Sequence, residues 1–158
     1  MTLAKGLGGG VPLSAVLCKE RFNVFEPGDQ GGTYCGNPVM AAAGLAVLNA
    51  IAQEPFLEIV RRRAVQLAEG LHELSQRHGL KGERGLGLLR ALVLPSDCAE
   101  AVVVAARELA PVGLLLNAPR PHLLRFMPAL NISEAEMRQA LALLDRALAQ
   151  VLSASAPH

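Results

Sequence analysis

A run of small and apolar residues after Asn37 limits what this chain can fold into more than any other feature. Asn37 suits the N-cap of a helix, and Pro38 suits its first position, where the missing amide proton costs nothing. Residues 39–52 are then almost wholly apolar, and a helix that is apolar on every side is a buried helix. The preceding part supplies one apolar run typical of a strand, at residues 13–18. We therefore expect a buried helix whose covering sheet has to come from further upstream.

A second, amphipathic helix is predicted from Pro55. Its apolar residues recur at intervals of four and three, which places them on one face of a helix. These residues are Val60, Ala64, Leu67, Leu71 and Leu74. Gly79 is a natural stop, because glycine adopts the left-handed conformation that often ends a helix.

From Arg84 onward the pattern is typical of a small α+β unit. Residues 88–94 predict a strand and residues 98–110 a helix, and two short strands at 114–116 and 123–126 flank a turn at 119–121. Ser133 and Glu136 have the spacing of a capping box. The helix that follows carries its apolar residues on one face: Met137, Leu141, Leu144, Leu148 and Val151. The end of the chain from Ser153 is expected to fray.

Composition argues against several classes of function. The formal net charge is +1, so there is no electrostatic footprint for nucleic acid or for an anionic membrane. No uninterrupted apolar run reaches the roughly 18 residues of a membrane span, and the N-terminus lacks the apolar core of a signal peptide. Cys18, Cys35 and Cys98 form no CxxC pair, so we expect buried or half-buried free thiols and no metal site. A soluble, cytoplasmic protein is expected.

The segment from Thr2 to Pro12 is the most informative for chemistry. Lys5 is followed by four glycines in five positions. A P-loop would place its lysine after the glycines, and a dinucleotide-binding fingerprint would need glycine where Val11 stands. Two interpretations remain open. One is a plain flexible loop; the other is a lysine that forms an imine on a tight turn, where glycines leave room for a flat ring.

Four segments resemble the class III aminotransferases of the ornithine and acetylornithine type. They are residues 3–13, 31–38, 84–89 and 123–132, and they have the order and spacing of that family. The resemblance covers essentially the whole chain. It implies the α/β fold of the fold-type I pyridoxal-phosphate transferases, with the end of the large domain followed by the C-terminal α+β small domain.

The resemblance implies a role for three residues. Lys5 matches the lysine that forms a Schiff base with pyridoxal 5′-phosphate, Thr33 the threonine that binds the cofactor phosphate across a dimer interface, and Arg125 the arginine that grips the substrate α-carboxylate. The implied reaction moves an amino group from N-acetylornithine or ornithine to 2-oxoglutarate, in arginine biosynthesis. A homodimer is expected, with an amino acid and a 2-oxo acid as its small-molecule partners.

Departures from the family leave other functions open. Gly32 stands where the family usually has Ser or Thr, which removes one possible contact to the cofactor phosphate. Cys35 stands where the family commonly has Gly. The family's acid for the pyridine nitrogen, its stacking aromatic and its phosphate loop lie upstream of the lysine, and four residues precede Lys5 here. The alternatives are a catalytically incomplete fragment with a structural or partner-binding role, and another class III enzyme of the 4-aminobutyrate or succinylornithine type.

The predicted organisation has four parts. Residues 1–54 are the C-terminal remnant of the large cofactor-binding domain, and residues 55–79 are a connecting helix. Residues 80–153 are the small domain, and residues 154–158 are a tail.

An apolar helix without its sheet exposes a patch that promotes association. We therefore expect this chain to dimerise or aggregate unless its upstream half is supplied. Sedimentation velocity measures this directly, and a clean monomer would contradict it.

Overall fold

The computed structural model describes residues 1–154. Its strands are β1 (Thr2–Leu3), β2 (Ala15–Val16), β3 (Glu83–Leu86), β4 (Leu89–Val93), β5 (Asn117–Arg120) and β6 (Leu123–Phe126). Its α-helices are α1 (Pro38–Ile51), α2 (Glu54–Arg77), α3 (Ala99–Arg107) and α4 (Glu134–Ala154). The chain divides into two compact units, Met1–Leu57 and Glu58–His158. The four-part domain organisation predicted from the sequence remains a prediction.

The first unit contains little regular structure before α1. The strand predicted at residues 13–18 is reduced to β2, which pairs with β1 in antiparallel register. The prediction was too long because an isolated ribbon of two strands gives the remaining residues no further partner. Helix α1 begins where it was predicted, and the Asn37 side chain accepts hydrogen bonds from the amides of Val39 and Met40 at 3.0 and 3.3 Å.

The expected burial of α1 is not found within this chain. Gly44 is its one buried residue among those described. Val39 is 68% exposed and Leu45 60% exposed, so most of the helix surface is apolar and uncovered. This lack of a covering sheet agrees with the sequence, which predicts one strand before the helix.

The second unit is built on a four-stranded antiparallel sheet of order β3-β4-β6-β5. Strand β6 has the predicted bounds. The predicted strand 88–94 corresponds to β4, but its partner β3 was missed, because the glycines at 85 and 87 indicated an entry loop and instead form a tight hairpin. The strand predicted at 114–116 was wrong, since β5 lies three residues later and includes part of the predicted turn at 119–121.

The hydrophobic core lies on one face of this sheet. Leu92 of β4 and Leu124 of β6 are directly opposed and fully buried. Helices α2, α3 and α4 contribute most of the rest, and the predicted apolar stripes of α2 and α4 supply Leu67, Leu71, Leu74, Met137, Leu144 and Leu148. Each such side chain contributes roughly 1.5–3 kcal/mol when it is fully buried. Helix α3 ends at Arg107, before the predicted limit at residue 110.

The predicted capping box at the start of α4 is confirmed. The amide of Ser133 donates to Glu136 Oε2 at 2.8 Å, and the amide of Glu136 donates to Ser133 Oγ at 3.2 Å. Hydrogen bonds from the Ser133 side chain and then from its backbone lower the pKa of Glu136 below its usual value. The helix is regular to Ala154, so fraying does not begin at Ser153; the rest of the predicted tail lies outside the described residues.

Among residues 1–154, no single helix is both long and apolar enough to cross a membrane. Helices α1 and α2 meet the length and composition criteria only when they are counted together across their break.

Gly85 generates a stability prediction. Its φ is +140°, and a Cβ there would lie 2.3 Å from the carbonyl oxygen of Leu89 in the same hairpin. Gly85→Ala should therefore lower the free energy of unfolding by roughly 3 kcal/mol or more, since backbone strain of about 1–3 kcal/mol adds to the clash. Urea denaturation measures this change.

Gly87→Ala is the matched control in the same hairpin. Gly87 has φ +60°, and a Cβ added there would meet no atom within 4 Å. Gly87→Ala should therefore lower the free energy of unfolding by only about 1 kcal/mol, the cost of placing alanine in a left-handed backbone conformation. Equal effects of the two substitutions would contradict the close approach at Gly85.

Candidate active site

Lys5 lies on a single 3₁₀ turn, Lys5–Gly8, directly after β1. The amide of Leu7 donates to the carbonyl of Ala4 at 3.2 Å, and the amide of Gly9 donates to the carbonyl of Gly6 at 3.1 Å. Lys5 has φ +56° and is the one non-glycine residue with positive φ in the described chain. Such a conformation costs roughly 1–2 kcal/mol for an L-residue. Strained residues of this kind concentrate at functional sites, which favours the imine interpretation over a plain loop.

Helix α1 supports this turn from one side. A Cβ on Gly44 would lie 2.3 Å from Leu13 Cδ2 and 3.6 Å from the carbonyl oxygen of Leu7. A Cβ on Gly9 would lie 2.8 Å from Val47 of the same helix. The lysine turn thus rests on α1 at a distance that glycine permits. This role of Gly44 was not predicted from the sequence, although an isolated glycine inside an alanine-rich helix was the available signal.

A hollow opens beside Lys5. It has a volume of about 390 Å³ and is lined by Lys5, Val11, Pro12, Leu13 and Ser14. Cβ atoms on Gly6 and Gly10 would meet nothing within 4 Å, so the flanks of the lysine are open as well. An exposed amine beside free space leaves room for a flat ring such as that of pyridoxal phosphate. The residues that are present are therefore compatible with that cofactor.

Thr33 lies in the turn that leads into α1. The amide of Cys35 donates to the carbonyl of Gly32 at 3.0 Å, and the amide of Asn37 donates to the carbonyl of Tyr34 at 3.2 Å. Thr33 is exposed, so its hydroxyl is accessible to a ligand. It belongs to the same unit as Lys5 but does not line the hollow beside the lysine.

Arg125 lies in the second unit, at the centre of β6. It is opposed by Ala91 of β4 on one side and by Asn117 of β5 on the other. Its strand neighbour Leu124 points into the core, so alternation along the strand directs Arg125 to the opposite face of the sheet. Arg125 is exposed and also borders an apolar cavity of about 340 Å³ whose walls include Phe126 and Met127.

On the buried face of the same sheet, the charge of Arg90 is paired with the charge of Glu83. Arg90 of β4 donates to Glu83 of β3 at 2.8 Å, and both side chains are mostly buried. Arg125 takes part in none of the ion pairs found among residues 1–154. A planar guanidinium without a protein partner is suited to bidentate binding of a carboxylate.

The cysteines and histidines contribute no recognisable site to the described residues. All three cysteines are free thiols, but Cys18 and Cys35 are exposed, contrary to the expected burial, because the loops that carry them lie outside the core. No group of three or more metal-ligating side chains occurs within residues 1–154. His78 directly follows α2, and its Nε2 lies 2.6 Å from Asp145 Oδ1, a contact that connects the end of α2 to α4.

A family model described as aminotransferase class-III matches residues 1–148 of this chain. Acetylornithine aminotransferase 2 of Bordetella parapertussis is 60% identical over 151 residues, which cover 96% of this chain and 38% of that protein. Acetylornithine aminotransferase of Ralstonia nicotianae is 55% identical over 144 residues, covering 91% of this chain and 36% of that protein. The chain therefore spans well under half the length of these relatives.

Solved structures agree in fold. The N-acetylornithine aminotransferase of Stenotrophomonas maltophilia matches with a TM-score of 0.80 and 32% identity, over 97% of this chain and 40% of that one. An ornithine aminotransferase of Toxoplasma gondii, described with partial occupancy of pyridoxal phosphate at its active site, matches with a TM-score of 0.84 and 30% identity, over 97% and 37% of the two chains. The predicted α/β fold of the fold-type I transferases is confirmed.

Gly44 generates a prediction about the lysine turn. Gly44→Val should displace Leu13 and loosen the turn, because its side chain would occupy the space now filled by Leu13 Cδ2. Hydrogen exchange at the amides of Leu7 and Gly9 should then accelerate by about tenfold or more, as expected when local opening becomes easier.

Ala46→Val is the control on the exposed side of the same helix. It should leave exchange at the lysine turn unchanged. Similar acceleration by both substitutions would mean that α1 stabilises the unit in general and does not support the turn through Gly44.

Proposed function

The chain belongs to the class-III aminotransferase family, and we propose that it forms the lysine-bearing C-terminal part of a pyridoxal-phosphate-dependent aminotransferase. The proposed donor is N-acetylornithine or ornithine, and the proposed acceptor is 2-oxoglutarate, as in arginine biosynthesis. Relatives at 55–60% identity are acetylornithine aminotransferases, which supports this donor. The observation that carries the proposal is the strained, exposed Lys5 beside an open hollow.

Lys5 would hold the cofactor and move a proton. When bound, pyridoxal phosphate would supply an electron sink for the electron pair left behind when the carbon that bears the transferred amino group loses its proton. The side chain of Lys5 lines the hollow from a backbone fixed by the 3₁₀ turn. A primary amine in that position can take a proton from the substrate carbon that bears the transferred amino group and return it to a neighbouring carbon. The rigid turn limits the positions that the amine can occupy, which favours one face of the substrate.

Two other residues would bind and orient. The Thr33 hydroxyl is proposed to donate a hydrogen bond to the cofactor phosphate, in a homodimer where two subunits complete each site. The Arg125 guanidinium is proposed to bind the α-carboxylate through two parallel hydrogen bonds. Exposure of both side chains supports these roles, and so does the absence of Arg125 from the ion pairs within residues 1–154.

The specific donor depends on residues that recognise its distal end. A 4-aminobutyrate or succinylornithine enzyme of the same family would share Lys5 and Arg125. Acetylornithine is preferred here because the relatives at 55–60% identity carry that name.

A partner-binding role is the second candidate, and the exposed surface of α1 favours it. Val39, Leu45 and Leu48 are 68%, 60% and 39% exposed, on a helix with no charged residue. An apolar surface of this extent is typical of an interaction site. The two candidates are compatible, because an apolar helix surface can bind another part of an aminotransferase as well as a separate partner.

Reductive trapping tests the catalytic proposal. The purified chain is mixed with pyridoxal phosphate, reduced with borohydride, digested and analysed by mass spectrometry. We expect the phosphopyridoxyl group on Lys5 in preference to Lys19 and Lys81, because Lys5 alone of these three lines a hollow suited to the ring.

Lys5→Met and Lys19→Met form the matched pair for this experiment. The first should remove the selective label, and the second should leave it unchanged. Equal labelling of all three lysines would overturn the proposal that a usable cofactor pocket forms around Lys5 in this chain.

A further inference from the structure

The pairing of β5 with β6 contains a bulge beside Arg125. Two residues of β5, Ala118 and Pro119, lie opposite the single residue Leu124 of β6, and beyond them Asn117 is directly opposed to Arg125. This two-against-one count defines a β-bulge, a feature that is common next to active sites because it re-aims a side chain. The bulge therefore decides which residue of β5 lies beside the arginine.

Without the bulge, Ala118 would lie opposite Arg125. Regular antiparallel pairing continued from Arg120 and Leu123 would bring residues 118 and 125 together. Ala118 instead packs against the core, and Asn117 takes the place beside Arg125. Directly opposed residues of antiparallel strands point to the same face of the sheet. The bulge thus adds a polar amide to the face that carries the guanidinium.

Asn117 and Arg125 are both exposed and both unpaired. Exposure of each exceeds that of the neighbouring core residues, and no side-chain hydrogen bond or ion pair involves either of them within residues 1–154. The other residue opposed to Arg125 is Ala91, whose side chain has no polar atom. Of its two opposed neighbours, only Asn117 can therefore hydrogen-bond to the guanidinium through its side chain. Arginine carries five donors and no acceptor, and the asparagine amide supplies an acceptor oxygen.

The lengths of the two side chains decide which nitrogen the amide reaches. Opposed Cβ atoms are about 4.5–5.5 Å apart. An asparagine oxygen lies about 2.4 Å from its Cβ and the Nε of an extended arginine about 3.8 Å from its own, by standard bond lengths. The outer guanidinium nitrogens lie farther out, about 5–6 Å from the arginine Cβ. The amide therefore reaches the inner nitrogen, Nε, and not a carboxylate bound at the outer ones.

We propose that Asn117 is a positioning residue for Arg125. Its Oδ1 accepts a hydrogen bond from Arg125 Nε–H, and the two outer nitrogens remain free to bind a carboxylate end-on. The bond forms as the carboxylate binds, since neither side chain is hydrogen-bonded beforehand within the described chain. The inference rests on the proposed function, which assigns the carboxylate to Arg125.

Heteronuclear NMR of the 158-residue chain tests this role. Acetate is the probe, because it is the simplest ion with the carboxylate that both proposed substrates share. The Arg125 Nε–H resonance is identified by its loss in Arg125→Gln. We expect acetate to shift this resonance saturably and to slow its exchange with water by about fivefold, as a new hydrogen bond protects it.

Asn117→Leu keeps the approximate size of the side chain and removes the acceptor. Acetate affinity should fall by about fivefold, the effect of one neutral hydrogen bond, and the slowing of Nε–H exchange should disappear. Asn117→Gln retains an amide oxygen and should restore both effects. Asn131→Leu changes an exposed asparagine in the turn before α4 and should alter neither. Urea denaturation of each variant checks that it is folded.

The outcomes separate this inference from the proposed function. Unchanged acetate affinity in Asn117→Leu would overturn the positioning role alone. Weaker binding with undiminished slowing of Nε–H exchange would also overturn it, because Asn117 would then stabilise the strand without contacting the guanidinium. The absence of any acetate-dependent shift at Arg125 would overturn the carboxylate role of Arg125 and this inference with it. Labelling of Lys5 tests the cofactor proposal independently of these variants.

Discussion

The burial of Leu92 against Leu124 determines the layout of the second unit. These two side chains are opposed across β4 and β6 and are both inaccessible to solvent. Because side chains alternate along a strand, their inward direction turns Ala91 and Arg125 outward. A shift of the register by one residue would bury an arginine and expose a leucine. The same contact that stabilises the core therefore also determines which side chains face away from it.

The first unit depends on a different constraint, the close approach of helix α1 to the lysine turn. Its lysine turn is supported by α1 at Gly44 and Val47. The strain at Lys5, roughly 1–2 kcal/mol, must be offset by such contacts. This explains why α1 carries a glycine where it meets the turn. Its uncovered apolar residues serve no purpose inside this unit, which is consistent with a chain that spans well under half the length of its relatives.

Periodicity was sufficient to predict the elements whose stability is local or amphipathic. The start of α1, the stripe of α2, strand β6 and the Ser133 cap were predicted from spacing and capping chemistry alone. The errors occur where a partner decides the structure. Strand β3 was missed because Gly85 has a backbone conformation that only the facing strand explains. The roles proposed for Lys5, Thr33 and Arg125 came from family resemblance, because a lysine among glycines is also typical of an ordinary loop.

A transaminase of the proposed type must admit two different substrates to one site in turn. The donor, N-acetylornithine, carries one carboxylate, and the acceptor, 2-oxoglutarate, carries two. A binding residue on a sheet has little freedom, since residues opposed across neighbouring strands have fixed spacing. Arg125 is held in this way on both sides, by Ala91 of β4 and by Asn117 of β5. The proposed carboxylate contact would therefore keep its position while the two substrates alternate.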